Sequence, residues 1–112
     1  MRITLAAGTL GLLLGAIPLL GQSLGNAGTI EGTVADPSGA AVPKAAVTIH
    51  NAITGYRQSA TAAADGSFRI TNIPPNPYHL EVTAAGFSTF AQDVTIRNAV
   101  PVAVNAKLAL GL

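Results

Sequence analysis

From residue 28 onward the chain alternates between apolar and polar positions. Val47 and Ile49 are interleaved with Thr48 and His50; Tyr78, Leu80, Val82 and Ala84 with His79, Glu81 and Thr83; Val94 and Ile96 with Asp93, Thr95 and Arg97. Val100, Val102, Val104, Ala106 and Leu108 alternate with Pro101, Ala103, Asn105 and Lys107. A side-chain period of two turns one face of a strand inward and the other toward water. No stretch after residue 28 carries the i, i+3, i+4 apolar spacing of an amphipathic helix. Turn chemistry divides the pattern. Asp36-Pro37-Ser38-Gly39 suits a type I turn. Asp65-Gly66 reads as a tight hairpin between 61–64 and 67–71. Pro74-Pro75-Asn76-Pro77 reads as a rigid loop that cannot join a ladder, and Gly86 closes the strand before it. The pattern predicts seven strands, at 29–35, 45–51, 56–62, 67–71, 78–84, 89–97 and 100–108. Short strands with turns every 8–12 residues predict an all-β fold, a seven-stranded antiparallel β-sandwich.

The inward positions name a core: Ile30, Val34, Val47, Ile49, Phe68, Ile70, Ile73, Tyr78, Leu80, Val82, Phe90, Val94, Ile96, Val102, Val104 and Leu108. The strands at 89–97 and 100–108 are expected at sheet edges, where a partner strand can add.

Residues 1–27 follow a different pattern. They hold eight of the twelve Leu and none of the eight Val. Arg2 precedes an uncharged apolar run over 3–20 centred on Leu12-Leu13-Leu14; Pro18 and Gly21 end it, and Gln22-Ser23-Leu24-Gly25-Asn26-Ala27 follows. This three-part order predicts an N-terminal signal helix, cleaved after Ala27, with Ser23 and Gly21 as other cleavage points. An uncleaved membrane anchor is the competing reading, since the run approaches the ~18 apolar residues that span a bilayer. The expected organisation is a signal peptide over 1–27 and one sandwich domain over 28–112, in an exported protein. Its address is the periplasm, the outer membrane or the extracellular space, and membrane contact is confined to the signal segment.

That division changes how the composition reads. The chain is 49% hydrophobic and 10% charged. Fifteen of the hydrophobic residues fall in the export segment, and the rest are largely Ala and β-branched residues in alternation. Without residues 1–27 the chain carries five basic and five acidic residues, a balance that speaks against nucleic acid as a partner. With no Cys there is no disulfide, thiolate metal site or catalytic thiol.

The order of these signals resembles the carboxypeptidase regulatory-like domain. One half of the resemblance is Gly32-Thr33-Val34-Ala35-Asp36-Pro37-Ser38-Gly39 running on through Val42-Pro43 to Val47-Thr48-Ile49. The other is Asp65-Gly66-Ser67-Phe68-Arg69-Ile70-Thr71-Asn72-Ile73-Pro74 through Tyr78-His79-Leu80-Glu81-Val82, followed by Ala85-Gly86-Phe87. The resemblance covers nearly all of 28–110. It implies a transthyretin-like (prealbumin-like) Greek-key sandwich, non-catalytic, found beside catalytic domains or ahead of the plug of TonB-dependent outer-membrane receptors. The related carbohydrate-binding-like fold implies glycan binding by analogy of fold. One departure is Asn76, which stands where the family has Gly in its last loop; Asn tolerates the left-handed backbone such a turn requires.

Little else in the chain promises chemistry. The two histidines, His50 and His79, stand on different predicted strands outside any H-E-x-x-H pattern, and His79 with Glu81 makes at most a two-ligand fragment. No G-x-S-x-G and no phosphate-binding glycine loop occurs. No cofactor is implied. For a ligand, the exposed candidates are Tyr56, Arg57 and Phe87, with Asn51 and Gln58 nearby in sequence. The competing role for Tyr56 is packing at a strand edge. An internal isopeptide bond would need Lys44 or Lys107 buried beside an acid such as Glu31, and no pairing pattern suggests it. The sequence therefore predicts a binding or scaffolding module whose partner is a glycan or another envelope protein. The alternatives are a carbohydrate-binding module and an accessory domain of a metallocarboxypeptidase.

Overall fold

The computed structural model describes residues 27–111. The export segment over 1–27 lies outside the described residues except for Ala27. Among the described residues there is no α-helix. Seven strands follow one another: β1 (Gly28–Ala35), β2 (Ala46–His50), β3 (Arg57–Thr61), β4 (Ser67–Ile73), β5 (Asn76–Thr83), β6 (Phe90–Ile96) and β7 (Val102–Lys107). They form a three-stranded sheet in the order β4-β1-β7 and a four-stranded sheet in the order β3-β2-β5-β6. The alternation sets the inner faces. In β5, Tyr78, Leu80 and Val82 are buried while His79 and Glu81 are half-buried on the other face.

Of the sixteen expected core residues, fourteen are buried; Phe90 and Val102 are half-buried. Phe90 and Val102 sit on β6 and β7, the outermost strands of their sheets, where no further strand covers them. Ala106 of β7 adds to the fourteen, and Val42, Ala45 and Ala62 complete the core from connecting segments.

One pairing departs from the antiparallel expectation. β1 pairs antiparallel with β4 but parallel with β7, Gly32 facing Val104. A parallel pair needs a long crossover. Here the entire chain between β1 and β7 supplies it. At Gly32 a Cβ would collide with the Val104 carbonyl oxygen, so only glycine admits this close backbone approach.

Two other expectations are corrected. Asp65-Gly66 makes a turn, but β3 and β4 do not pair; the turn carries the chain from one sheet to the other. Its near side is held to the start of β2 by Lys44 N to Ala62 O (2.9 Å) and Ala62 N to Ala45 O (2.9 Å). Its far side is held to β1, where Val34 N donates to Gly66 O (2.8 Å). Asn76 and Pro77 belong to β5 rather than to a loop, facing Ile96 and Thr95 of β6. The ladder tolerates Pro77 because its carbonyl points beyond the last β2–β5 pair, His50 with His79, and accepts from the side-chain Nδ2 of Asn51 at 2.8 Å. The missing N–H of Pro77 faces the same side, so no ladder bond is lost. Asn76 has no left-handed backbone; Asn72 does, at φ 59. Asn72 lies in a bulge where three residue steps of β4, from Ile70 to Ile73, oppose two of β1, from Ile30 to Gly28, as an extra residue on one strand requires.

Candidate functional site

Strand register gathers five of the charged or titratable side chains, both histidines among them, into one place. Arg57 pairs with His50, His50 with His79, and His79 with Asp93. These four form a single row across the outer face of the four-stranded sheet. Glu81 lies two residues along β5, on the same face by the period of two. The His50 and His79 rings meet edge to face, centroids 5.5 Å apart at 70°. His79 Nδ1 is 3.0 Å from Asp93 Oδ1 and Nε2 is 3.2 Å from Glu81 Oε2. The hydrogen bond to Asp93, helped by Glu81 and opposed by partial desolvation, raises the His79 pKa above the usual imidazole value. The side chains of His79, Glu81 and Asp93 are 40%, 47% and 88% exposed, so solvent screens these contacts.

Beside the row lies a shallow groove of about 340 Å³, lined among others by His50, Ile53, Pro77, His79, Asp93 and Thr95. The β2–β3 connection shapes it. Asn51 Oδ1 accepts from the Ile53 and Thr54 amides, each at 2.9 Å, while Asn51 N donates to Tyr56 O at 3.0 Å. The tight loop leaves Ile53 94% exposed. Among the described residues no group of three or more His, Asp or Glu is arranged to hold a metal ion. Both nitrogens of His79 are already turned to carboxylates.

The three residues singled out from the sequence do not converge. Tyr56 is half-buried against the core, its ring edge-on to Tyr78 with centroids 5.7 Å apart. Its hydroxyl donates to Asn72 O (3.4 Å) and accepts from Gln58 Nε2 (2.6 Å), which also reaches Thr71 O (3.2 Å). Tyr56 thus serves as a packing residue at a strand edge. Arg57 is exposed at the start of β3, beside His50. Phe87 is half-buried past the end of β5, bridged to Leu110. Since Arg57 meets the His50 end of β2 and Thr83 meets its Ala46 end, Phe87 lies at the opposite end of the sheet from Tyr56 and Arg57. Lys44 and Lys107 are exposed, and no polar or charged residue among those described is buried; the burial an isopeptide bond requires is not met. The sequence reading overlooked Asp93 and the direct pairing of the histidines. Counting back along 78–84 and 89–97 from the turn between them is the signal that aligns His79 with Asp93.

The two flanks of the sandwich differ. Where β3 lies against β4, Gln58 and Tyr56 occupy the β4 backbone carbonyls of Thr71 and Asn72. Where β6 lies against β7, no strand pairing or hydrogen bond joins the two among the described residues. Each is the last strand of its sheet, and β6 contains no proline.

Solved structures share this architecture. The Bacillus anthracis TIE protein is 13% identical with a TM-score of 0.65, over 76% of this chain and 17% of that one. Catechol 1,2-dioxygenase from Acinetobacter sp. ADP1 is 14% identical with a TM-score of 0.63, over 79% of this chain and 54% of that one. GBS52, the minor pilin of Streptococcus agalactiae, is 13% identical with a TM-score of 0.63, over 80% of this chain and 47% of that one. The chain spans less than two thirds of the length of each, and at such identities the likeness is one of fold. Comparison with the curated proteins gives no match. The model of the carboxypeptidase regulatory-like domain, a non-catalytic domain type, matches residues 29–109, and the chain belongs to that family.

Proposed function

We propose that the chain is a binding or scaffolding module of an exported protein, which takes an extended segment of another envelope protein onto the edge of β6. The observation that carries this reading is the difference between the flanks: side chains occupy the β4 carbonyls on one, while β6 keeps one edge of backbone N–H and C=O groups unpaired on the other. Such an edge is a template for strand addition. Asp93, on β6 and 88% exposed, favours a cationic side chain at the facing position of the incoming strand. The export segment over 1–27 and the family's occurrence ahead of TonB-dependent receptor plugs support an envelope setting. A photoreactive residue at position 92 of β6, compared with one at position 59 of β3, tests the docking edge. Crosslinking to one partner at 92, lost when Ala91→Lys blocks the edge, supports the reading; equal crosslinking at both positions overturns it. N-terminal sequencing of the fractionated protein tests export, and a full-length N-terminus retained in the cytoplasm rejects it.

A further inference from the structure

We propose that His79 ties the edge strand β6 to its sheet most firmly when the imidazole carries both protons. A neutral imidazole has one N–H and one lone pair. Both ring nitrogens of His79 face carboxylate oxygens, Asp93 Oδ1 at 3.0 Å and Glu81 Oε2 at 3.2 Å. The neutral ring donates to one and turns its lone pair on the other; the imidazolium donates to both. The protonated form is therefore the one this geometry fits.

The charges around the ring agree. On its own strand His79 faces Glu81, and on β6 it faces Asp93. On β2 it meets His50, its cross-strand pair, with Arg57 of β3 one strand further away. Two carboxylates in contact outweigh one guanidinium two strands off, and a nearby opposite charge favours the charged form. The raised His79 pKa has the same cause. A group whose pKa is raised on folding adds stability that is fully present below its unfolded pKa. That contribution disappears as pH rises through the folded pKa. The tie is thus at full strength below the usual imidazole pKa of about 6.5 and weakens as pH rises through the raised folded value.

The location gives the proton its consequence. β6 has one neighbour, β5, and the Asp93–His79 contact spans that single pairing. Losing the proton leaves Asp93 and Glu81 on either side of a ring that can satisfy only one of them, and β6 loosens at its middle. The edge is then firm at mildly acidic pH and more mobile at neutral to alkaline pH. This tie does not depend on strand docking, and its test uses no partner.

The test is an NMR titration of the full chain, following the His79 ring signals and the amide protection factors of β6. The His79 midpoint is expected above 6.5, lowered in both Asp93→Asn and Glu81→Gln. The protection factors of β6, corrected for intrinsic exchange, are expected to fall severalfold across that midpoint, and to stay level in His79→Gln. A midpoint at or below the usual value, or one unmoved by either carboxylate change, overturns the proposal. So does β6 protection that is independent of pH in the wild-type chain, or that falls equally in His79→Gln.

Discussion

Gly66 lies directly against Val34: the Val34 amide donates to the Gly66 carbonyl at 2.8 Å, and a Cβ on Gly66 would stand 2.6 Å from the Val34 carbonyl oxygen. This contact anchors the sheet-to-sheet turn onto β1. Gly66 also has φ +81, a region L-residues adopt at a cost. Gly66→Ala is expected to destabilise the domain by about 1–3 kcal/mol, read as a lower urea midpoint. Gly39→Ala is the control. Gly39 has φ +92, and a Cβ added there would meet nothing within 4 Å, so it bears the backbone cost alone and is expected to lose less.

Tyr78 joins the core to the loop that precedes β5. Its ring is buried and its hydroxyl donates to the Pro74 carbonyl at 2.6 Å. Tyr78→Phe keeps the ring and removes one hydrogen bond, an expected loss of about 1 kcal/mol. Tyr78→Ala also leaves a cavity and is expected to cost about 3–5 kcal/mol. Chemical denaturation of both variants separates the bond from the packing. Equal losses would show that the ring contributes nothing beyond its hydroxyl.

The contrast between Tyr78 and His79 shows what was legible in the sequence. Tyr78 could be placed inside from alternation alone, because burial follows a period that needs no knowledge of the neighbouring strands. The same period put His79 and Glu81 on the outer face together. What His79 touches depended on register: one residue of slip would set Asp93 on the other face. Tyr56 was ambiguous for a related reason. Aromatic residues before a strand serve surfaces and edges alike, and only the bulge at Asn72, which no local signal announced, brought a carbonyl within its reach. The parallel β1–β7 pair was hidden because it joins the two ends of the domain. Pro77 was misassigned because its compatibility with β5 rests on the side chain of Asn51, twenty-six residues away.

Two turns make the domain sensitive to acid. Asp36 Oδ1 accepts from Ser38 Oγ (2.7 Å), Ser38 N (2.8 Å) and Ala40 N (2.9 Å); Asp65 Oδ1 accepts from Ser67 Oγ (2.6 Å) and Ser67 N (3.0 Å). The serine hydroxyl bonds, followed by the backbone amides, hold both carboxyls below the usual Asp value against slight desolvation. Depressed pKa values give stability that is present above the unfolded pKa, about 3.9, and that is lost as pH falls through the folded pKa. Melting temperature is therefore expected to drop as pH falls below about 4. The Asp36→Ala, Asp65→Ala double variant is expected to melt lower at neutral pH and to show a shallower acid slope. An unchanged slope would assign the acid sensitivity to other groups.

Tyr56 and Arg57 are adjacent in the chain and are expected to respond differently to truncation. Tyr56 packs on Tyr78, and its hydroxyl links Gln58 of β3 to the bulged Asn72 of β4. Tyr56→Ala removes half-buried aromatic surface and opens the flank where the two sheets meet. A loss of about 1–3 kcal/mol is expected, below the full cost of deleting a buried ring. It is expected to come with faster amide exchange in β3 and in residues 70–73. Arg57 is exposed and its register partner is His50, so Arg57→Ala is expected to stay within about 0.5 kcal/mol. The pair also separates stability from recognition. A partner whose binding falls in Tyr56→Ala only in proportion to the unfolded fraction is not read by Tyr56, whereas a loss in the fully folded Arg57→Ala marks a contact made by the guanidinium itself. If Tyr56→Ala proves as stable as wild type, the flank is closed by Gln58 alone, and the aromatic ring is free to serve a ligand.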